Sequence, residues 1–232
     1  MTADEIAALI AQAGQKDPDL RAEAAAELPA AMSGQPDDPA LAALIPLTRD
    51  REAYVRERAT FALGQLAGVD GPDIRSALWH RVDDEDPETR EEAVRGLAVR
   101  RDPRAVPLLA ALLEEPTAYV QTFNAAAVLG DPRLLPSLRT YDPADPGVRE
   151  ALQACDPAAR ERRDAAAWAL LEAVHALLPT TDGALYASHF EANLTLSLST
   201  GGHGELTWNA DALLVRAGGD PERAAALAAE AV

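Results

Sequence analysis

Few residues in this chain have types suited to covalent or metal chemistry: one cysteine, four histidines and a set of arginines and carboxylates. Cys155 stands alone, so thiols offer neither an internal disulfide nor a zinc cluster. His80, His175, His189 and His203 are scattered, and neither H-E-x-x-H nor paired-cysteine spacing occurs. His189, Glu191 and His203 would meet only if the chain between them folds back as a hairpin. There is no G-x-S-x-G, phosphate-binding loop or dinucleotide fingerprint, and Gly201-Gly202-His203-Gly204 reads as a turn. These patterns lead to an expectation of no catalytic residue, no metal and no cofactor.

Arg56, Arg90 and Asp102 would suit an active site, but arginines recur at equivalent positions along the chain. A catalytic group is needed once. Repeated arginines point instead to bonds with the acidic turns of neighbouring repeats. The acidic run Asp83-Asp84-Glu85-Asp86 reads first as a solvated helix cap, and second as part of an acidic rim for a basic segment.

The elements that position these residues repeat at a period a little over thirty residues. An apolar residue followed by Arg recurs as Leu20-Arg21, Val55-Arg56 and Val148-Arg149, with Thr89-Arg90 and Val120-Gln121 as variants. Three residues after the Arg come Ala24, Ala59 and Ala93, and seven after it Leu28, Leu63 and Leu97, a spacing that buries one narrow helical stripe. Acidic or proline-bearing turns precede each of these helices. Partner helices are expected near 3–13, 39–47, 72–82, 103–113 and 132–140. In the fourth of these, Asp102 should serve as N-cap and Pro103 as the first helical residue, with Val106, Leu109 and Leu113 buried. On the third, Ile74, Ala77, Leu78 and Val82 account for the buried face, which leaves Trp79 near an edge.

The run DPRAVPLLAALL and the helix VRERATFALGQL from Val55 to Leu66 resemble HEAT repeats of the short bacterial type also found in phycobilin lyase-related proteins. The resemblance covers residues 1–156. It implies an all-α fold, an α-α superhelix or HEAT-repeat solenoid of about five antiparallel helix pairs whose second helices line a concave surface. Residues 157–232 are expected to form a C-terminal helical cap containing a small β-hairpin. A long helix follows Pro157, with Trp168, Leu171, His175 and Leu178 along its stripe. The alternation Leu194, Leu196, Leu198 gives one strand and Glu205 to Trp208 the other. Asp220 opens a final helix at Pro221.

With 38 acidic against 21 basic residues, a net charge of −17 repels polyanions, so nucleic acid and anionic membranes are poor partners and a basic protein is steered in. The N-terminus carries acids where a signal peptide needs cations, and no apolar run approaches the roughly 20 residues of a membrane span. A cytoplasmic location is expected, and Asn193-Leu194-Thr195 is then an accidental glycosylation sequon.

The expected role is a non-catalytic scaffold holding a basic protein partner in the groove around Tyr54, Arg58, Tyr119, Phe123 and Asn124. Such a scaffold is either an assembly adaptor or an inhibitor of a basic toxin. Phe123 falls where the second repeat has Glu57 or Arg58, which makes it either a solvent-facing aromatic anchor or, if the helix is locally rotated, a core residue. The alternative implied by the resemblance is a HEAT-like enzyme, an alkylpurine DNA glycosylase or a bilin-lyase-like enzyme. A glycosylase would need a cationic groove, for which Arg56, Arg58, Arg90 and Arg95 are candidates, although Glu57, Glu91 and Glu92 sit beside them. A small-molecule enzyme would need a deep apolar pocket with one buried carboxylate.

Overall fold

The structure, a computed structural model, describes every residue except 34, 36–37, 116–119, 188–191, 200–203 and 232. Two compact units, Met1–Ala125 and Ala126–Val232, divide within one helix, whereas the change from helices to strands comes later in the chain.

The first unit is a series of helix pairs: α1 (Ala3–Ala13) with α2 (Pro18–Glu27), α3 (Pro39–Leu47) with α4 (Ala53–Phe61), α5 (Pro72–Trp79) with α6 (Pro87–Val99), then α7 (Ala105–Glu114) and the start of α8 (Val120–Leu129), the helix within which the units divide. The second helices α2, α4 and α6 pack against one another in one layer, as α1 and α3 do in the other. Aspartate followed by proline starts three of these helices. Asp17, Asp38 and Asp86 accept backbone amides as N-caps, and Pro18, Pro39 and Pro87 occupy the position where a missing N–H costs nothing. At Asp102 the helix begins later than the sequence suggests. Its carboxylate accepts the Arg104 amide at 3.0 Å, so Pro103 and Arg104 form a turn and α7 starts at Ala105.

The expected stripe is buried: Ala24, Ala59, Ala93, Leu28, Leu63 and Leu97 are all fully enclosed. Alanine three residues after the arginine keeps the second helices close. The closest approach lies further along, where α4 continues into a π-helical turn, Ala62–Leu66. A Cβ placed on Gly96 would stand 2.7 Å from the Gly64 Cα and 3.1 Å from Leu78 Cδ2, so these two backbones touch because neither carries a side chain.

In the second unit a 3-10 turn (Pro132–Leu134) and the one-turn α9 (Leu135–Leu138) replace the longer helix expected over 132–140. Then come α10 (Pro146–Cys155), α11 (Pro157–Leu177), β1 (Asp182–Ala187), β2 (Leu194–Ser199), β3 (Glu205–Asn209), α12 (Ala210–Arg216) and α13 (Pro221–Ala229). The expected hairpin is two strands of a three-stranded antiparallel sheet in the order β1-β2-β3, with Leu196 opposite both Leu185 and Trp208. Asp182, Gly183 and Ala184 are poor strand formers, so β1 leaves little trace in the sequence. One face of the sheet, through Leu196 and Leu198, packs with α11, α12 and α13 into a core, which gives the strands the support that an isolated hairpin lacks.

The stripe expected on α11 is a correction. Ala167, Leu170, Leu171 and Val174 are buried, whereas Trp168 is 55% exposed and His175 lies at the surface, bonded through Nε2 to the Gly183 carbonyl. Asn193 is buried between Arg163 and Glu150, which removes its amide from the surface that glycosylation requires.

Replacing Gly96 with alanine should destabilise the protein. Helix propensity returns about 1 kcal/mol, but overpacking one backbone against another costs about 1–3 kcal/mol and no rotamer can relieve it. A net loss of about 1–2 kcal/mol in urea unfolding is expected, with a smaller effect for Gly64→Ala, whose added Cβ would meet its nearest atom at 3.1 Å.

Candidate functional site

The repeated arginines form a ladder. Arg21 Nε and Nη2 donate to both oxygens of Asp50 at 2.6 and 2.8 Å, while its Nη1 donates to the carbonyls of Gln15 and Lys16. One repeat later Arg56 Nε and Nη2 donate to both oxygens of Asp84 at 3.1 and 2.9 Å, and its Nη1 to the carbonyls of Asp50 and Arg51. Arg90 Nη1 likewise donates to the carbonyls of Asp84 and Glu85. Each guanidinium thus ties its helix to the turn that precedes it, and the first two also reach the aspartate of the next turn.

This accounts for much of the acidic run. Asp84 is buried and also takes Arg81 at 2.8 Å, Asp86 caps α6 through the Thr89 amide and hydroxyl, and Glu85 pairs with Arg56 at 3.1 Å. The Arg21 guanidinium holds the Asp50 carboxyl below its ordinary range. Burial alone would raise the Asp84 carboxyl, but Arg56, the Asp86 amide and Arg81 together hold it low.

Arg100 has no counterpart in the other repeats and is fully enclosed. Its Nη2 donates to the carbonyls of Leu63, Ala67 and Val69 at 2.7, 3.2 and 3.2 Å, and its Nη1 to those of Gly64 and Gly96. A π-helical turn leaves carbonyls without their usual amide partners, and this side chain supplies the donors. Burial pushes its guanidinium down to about 10, which leaves it charged at neutral pH.

With these cations turned inward, the exposed seam between α4 and α6 is acidic. Arg95 is buried and bonds Glu91 at 2.9 Å and Glu92 at 2.7 Å, and Gln65 donates to Glu92. Glu57 projects into the same seam with no bonded cation, and burial, reinforced by Glu92, Glu88 and Asp86 and only partly opposed by neighbouring Arg58, pushes its carboxyl above the ordinary range.

Of the residues expected to bind a partner, Tyr54 and Arg58 are exposed one turn apart on α4, and Asn124 is exposed on α8. The Tyr54 hydroxyl donates to Asp19 of α2 at 2.8 Å, a bond that pushes its own ionisation up to about 12. Tyr119 lies outside the described residues, as do His189, Glu191 and His203. Phe123 is a correction: it is buried at 7% exposure, because α8 is rotated by about one residue relative to the alignment with α4, and Asn124 takes the outward position. Arg100 and the Glu57–Glu92 seam were missed. The available signal was an arginine out of register with the repeat and a glutamate facing another across neighbouring second helices. Trp79, half-buried, is covered by the Arg104 guanidinium at 4.6 Å from its ring centre, a cation–π contact.

Arg56→Gln leaves Asp84 in a buried position with Arg81 alone, and a loss of about 3 kcal/mol is expected in chemical denaturation. Because the Asp50 and Asp84 carboxyls are held below 3.8, the unfolded chain binds more protons there, and stability rises with pH. Their contribution is complete above about pH 4 and is lost as pH falls through their folded values. The gap between wild type and Arg56→Gln should therefore narrow on acidification.

The comparisons with known proteins agree with this geometry. The family model described as HEAT repeats matches residues 41–130. Protein YibA of Escherichia coli K12 is 38% identical over 97 residues, 42% of this chain and 34% of that protein, and the deoxyhypusine hydroxylase of Rattus norvegicus is 33% identical over 103 residues, 43% of this chain and 33% of that protein. The chain thus spans about a third of the length of these curated relatives. The crystal structure of E. coli YibA superposes with a TM-score of 0.53 at 28% identity, covering 64% of this chain and 54% of that one. The CpcE–CpcF complex of phycocyanin lyase from a Nostoc species gives 0.51 at 20% identity, covering 75% and 71%, a likeness of fold alone. Paired helices, buried alanine and leucine stripes and these matches lead to one conclusion: residues 41–130 of this chain carry HEAT repeats.

Proposed function

We propose that the repeats form a non-catalytic binding module and that the seam between α4 and α6, with Tyr54 and Arg58 beside it, receives a basic segment of a partner protein. The observation that carries this reading is the disposition of charge. Arg21, Arg56, Arg95 and Arg100 are buried against internal carbonyls and carboxylates, whereas half-buried Glu57 and exposed Glu88 have no ion pair among the described residues. A cation arriving there relieves the repulsion that Glu57 feels from Glu92 and Glu88. The same disposition counts against a nucleic-acid groove, because the arginines that would neutralise phosphates are already bonded inside the protein.

An enzymatic second reading draws on the hydroxylase and the lyase among the similar proteins. The first unit does hold a cavity of about 330 Å³ beside Asp38, Leu41, Val69, Asp70 and Ile74. Its carboxylates already have structural work: Asp38 caps α3 and accepts the Ser33 hydroxyl at 2.8 Å, and Asp70 pairs with Arg75. The binding reading therefore has the stronger support.

Glu57→Gln separates function from fold. Since burial and neighbouring acids raise the Glu57 carboxyl, its ionised form costs stability at neutral pH, and the neutral variant should melt higher, an advantage that fades as pH falls through the raised value. The charge reversal Glu57→Lys with Glu88→Lys should abolish salt-sensitive capture of basic proteins from cell extract while preserving the fold by circular dichroism. Recovery of nucleic acid in place of protein, or capture indifferent to the double reversal, would overturn the proposal.

A further inference from the structure

We infer a second docking surface, independent of the α4–α6 seam: the groove between α11 and α13 receives an amphipathic helix from a basic partner protein. The groove is an open depression of about 700 Å³ floored by small side chains, Ala169, Ala173 and Ala176 of α11 and Ala225 and Ala226 of α13. An alanine floor lets another backbone come close but leaves volume that only bulky side chains from outside can fill, which is how a helix seats in a groove.

Two large apolar side chains bracket that floor. Trp168 is 55% exposed and Leu177 51% exposed, near either end of the stretch of α11 that lines the groove. Trp168 does not line the groove itself but directly precedes Ala169, which does, and stands one turn before Glu172 on the same side of the helix. It belongs to no part of the core that Leu170, Leu171 and Val174 make with the sheet. An exposed tryptophan beside an unfilled apolar groove has the composition of an interface anchor, since tryptophan leads among residues that dominate binding energy.

Charge selects the occupant. The groove is lined by three carboxylates, Glu172, Asp220 and Glu222, and by no cation. Asp220 caps α13 through the Glu222 and Arg223 amides, and neither Glu172 nor Glu222 forms an ion pair among the described residues. A second copy of this chain would bring another −17 of charge to an acidic rim, so self-association is the disfavoured occupant. The fitting ligand is a helix with leucine-like residues on one face and lysine or arginine flanking them.

The probe is a synthetic helix of about five turns with leucines on one face and lysines on the other, titrated into the full chain, with a leucine–glutamate peptide of the same pattern as control. The lysine peptide should shift tryptophan emission to the blue, and Trp168→Phe should remove that shift. Calorimetry should show affinity falling about tenfold or more in Trp168→Ala and in Glu172→Lys with Glu222→Lys. Glu23→Lys with Glu27→Lys, at exposed positions of α2 outside both surfaces, should leave it nearly unchanged. All of the charge reversals are at surface or rim positions, and melting curves establish that each variant is folded. The inference is overturned by an absent shift, by a shift that survives Trp168→Phe, by equal weakening in both charge reversals, or by equal binding of the glutamate peptide. Concentration-dependent dimerisation that shields Trp168 would also overturn it.

Discussion

The bidentate pairing of an arginine near the start of the first two second helices with an aspartate in the next inter-helix turn is the contact on which the order of these repeats depends. Arg21 with Asp50 and Arg56 with Asp84 use two guanidinium nitrogens on the carboxylate and the third on two carbonyls of the preceding turn. A planar fork with five donors can serve both partners at once; an ammonium cannot hold that geometry. Buried pairs of this kind add little net stability over apolar packing, yet a register shift would strand a desolvated charge. Their contribution is therefore to alignment more than to energy. Alanine-rich stripes, which could slide against one another with modest loss, need such a device.

That logic was partly legible in the sequence. Recurrence of Arg at one position, with Ala and Leu at fixed offsets, marks the buried stripe, because periodicity reports directly on which face a helix hides. Aspartate–proline starts are legible for a similar local reason, since cap and first turn lie within three residues. What escaped was whatever depended on rotation or on distant partners. In α11, alanine occupies so many positions that two stripes look equally apolar, and the sheet residues Leu196 and Leu198 select the one containing Leu170 and Val174 while Trp168 turns outward. Phe123 fails similarly: a one-residue slip in aligning α8 with α4 exchanges the buried and exposed positions, so Asn124 is outside. The candidate face was legible at Tyr54 and Arg58, whereas the Glu57–Glu92 seam depends on two helices lying side by side.

Internal use of arginine also decides the surface. Counting charges along the chain gives an acidic protein, and the repeat arginines do not offset that acid at the surface, since Arg21 and Arg56 are bonded to Asp50 and Asp84 inside the protein and Arg100 meets internal carbonyls and, at 3.6 Å, Asp70. Acid left at the surface is then unbalanced locally, at the α4–α6 seam and along α13 alike.

The region around Gly64 and Gly96 combines three local departures that require one another. Backbones in contact leave no room for side chains between the helices, so the polar groups displaced by the π-helical turn cannot be met from the facing positions on α6. A donor has to come from beyond the end of α6 and reach back. Arg100, at the C-cap of that helix, is long enough to do so, and it meets carbonyls of Leu63, Gly64 and Ala67 as well as Gly96. An alanine at Gly96 would therefore force apart the same two segments that the guanidinium joins. Close packing at the glycines and burial of a full charge a few ångströms away are two parts of a single solution for joining the second repeat to the third.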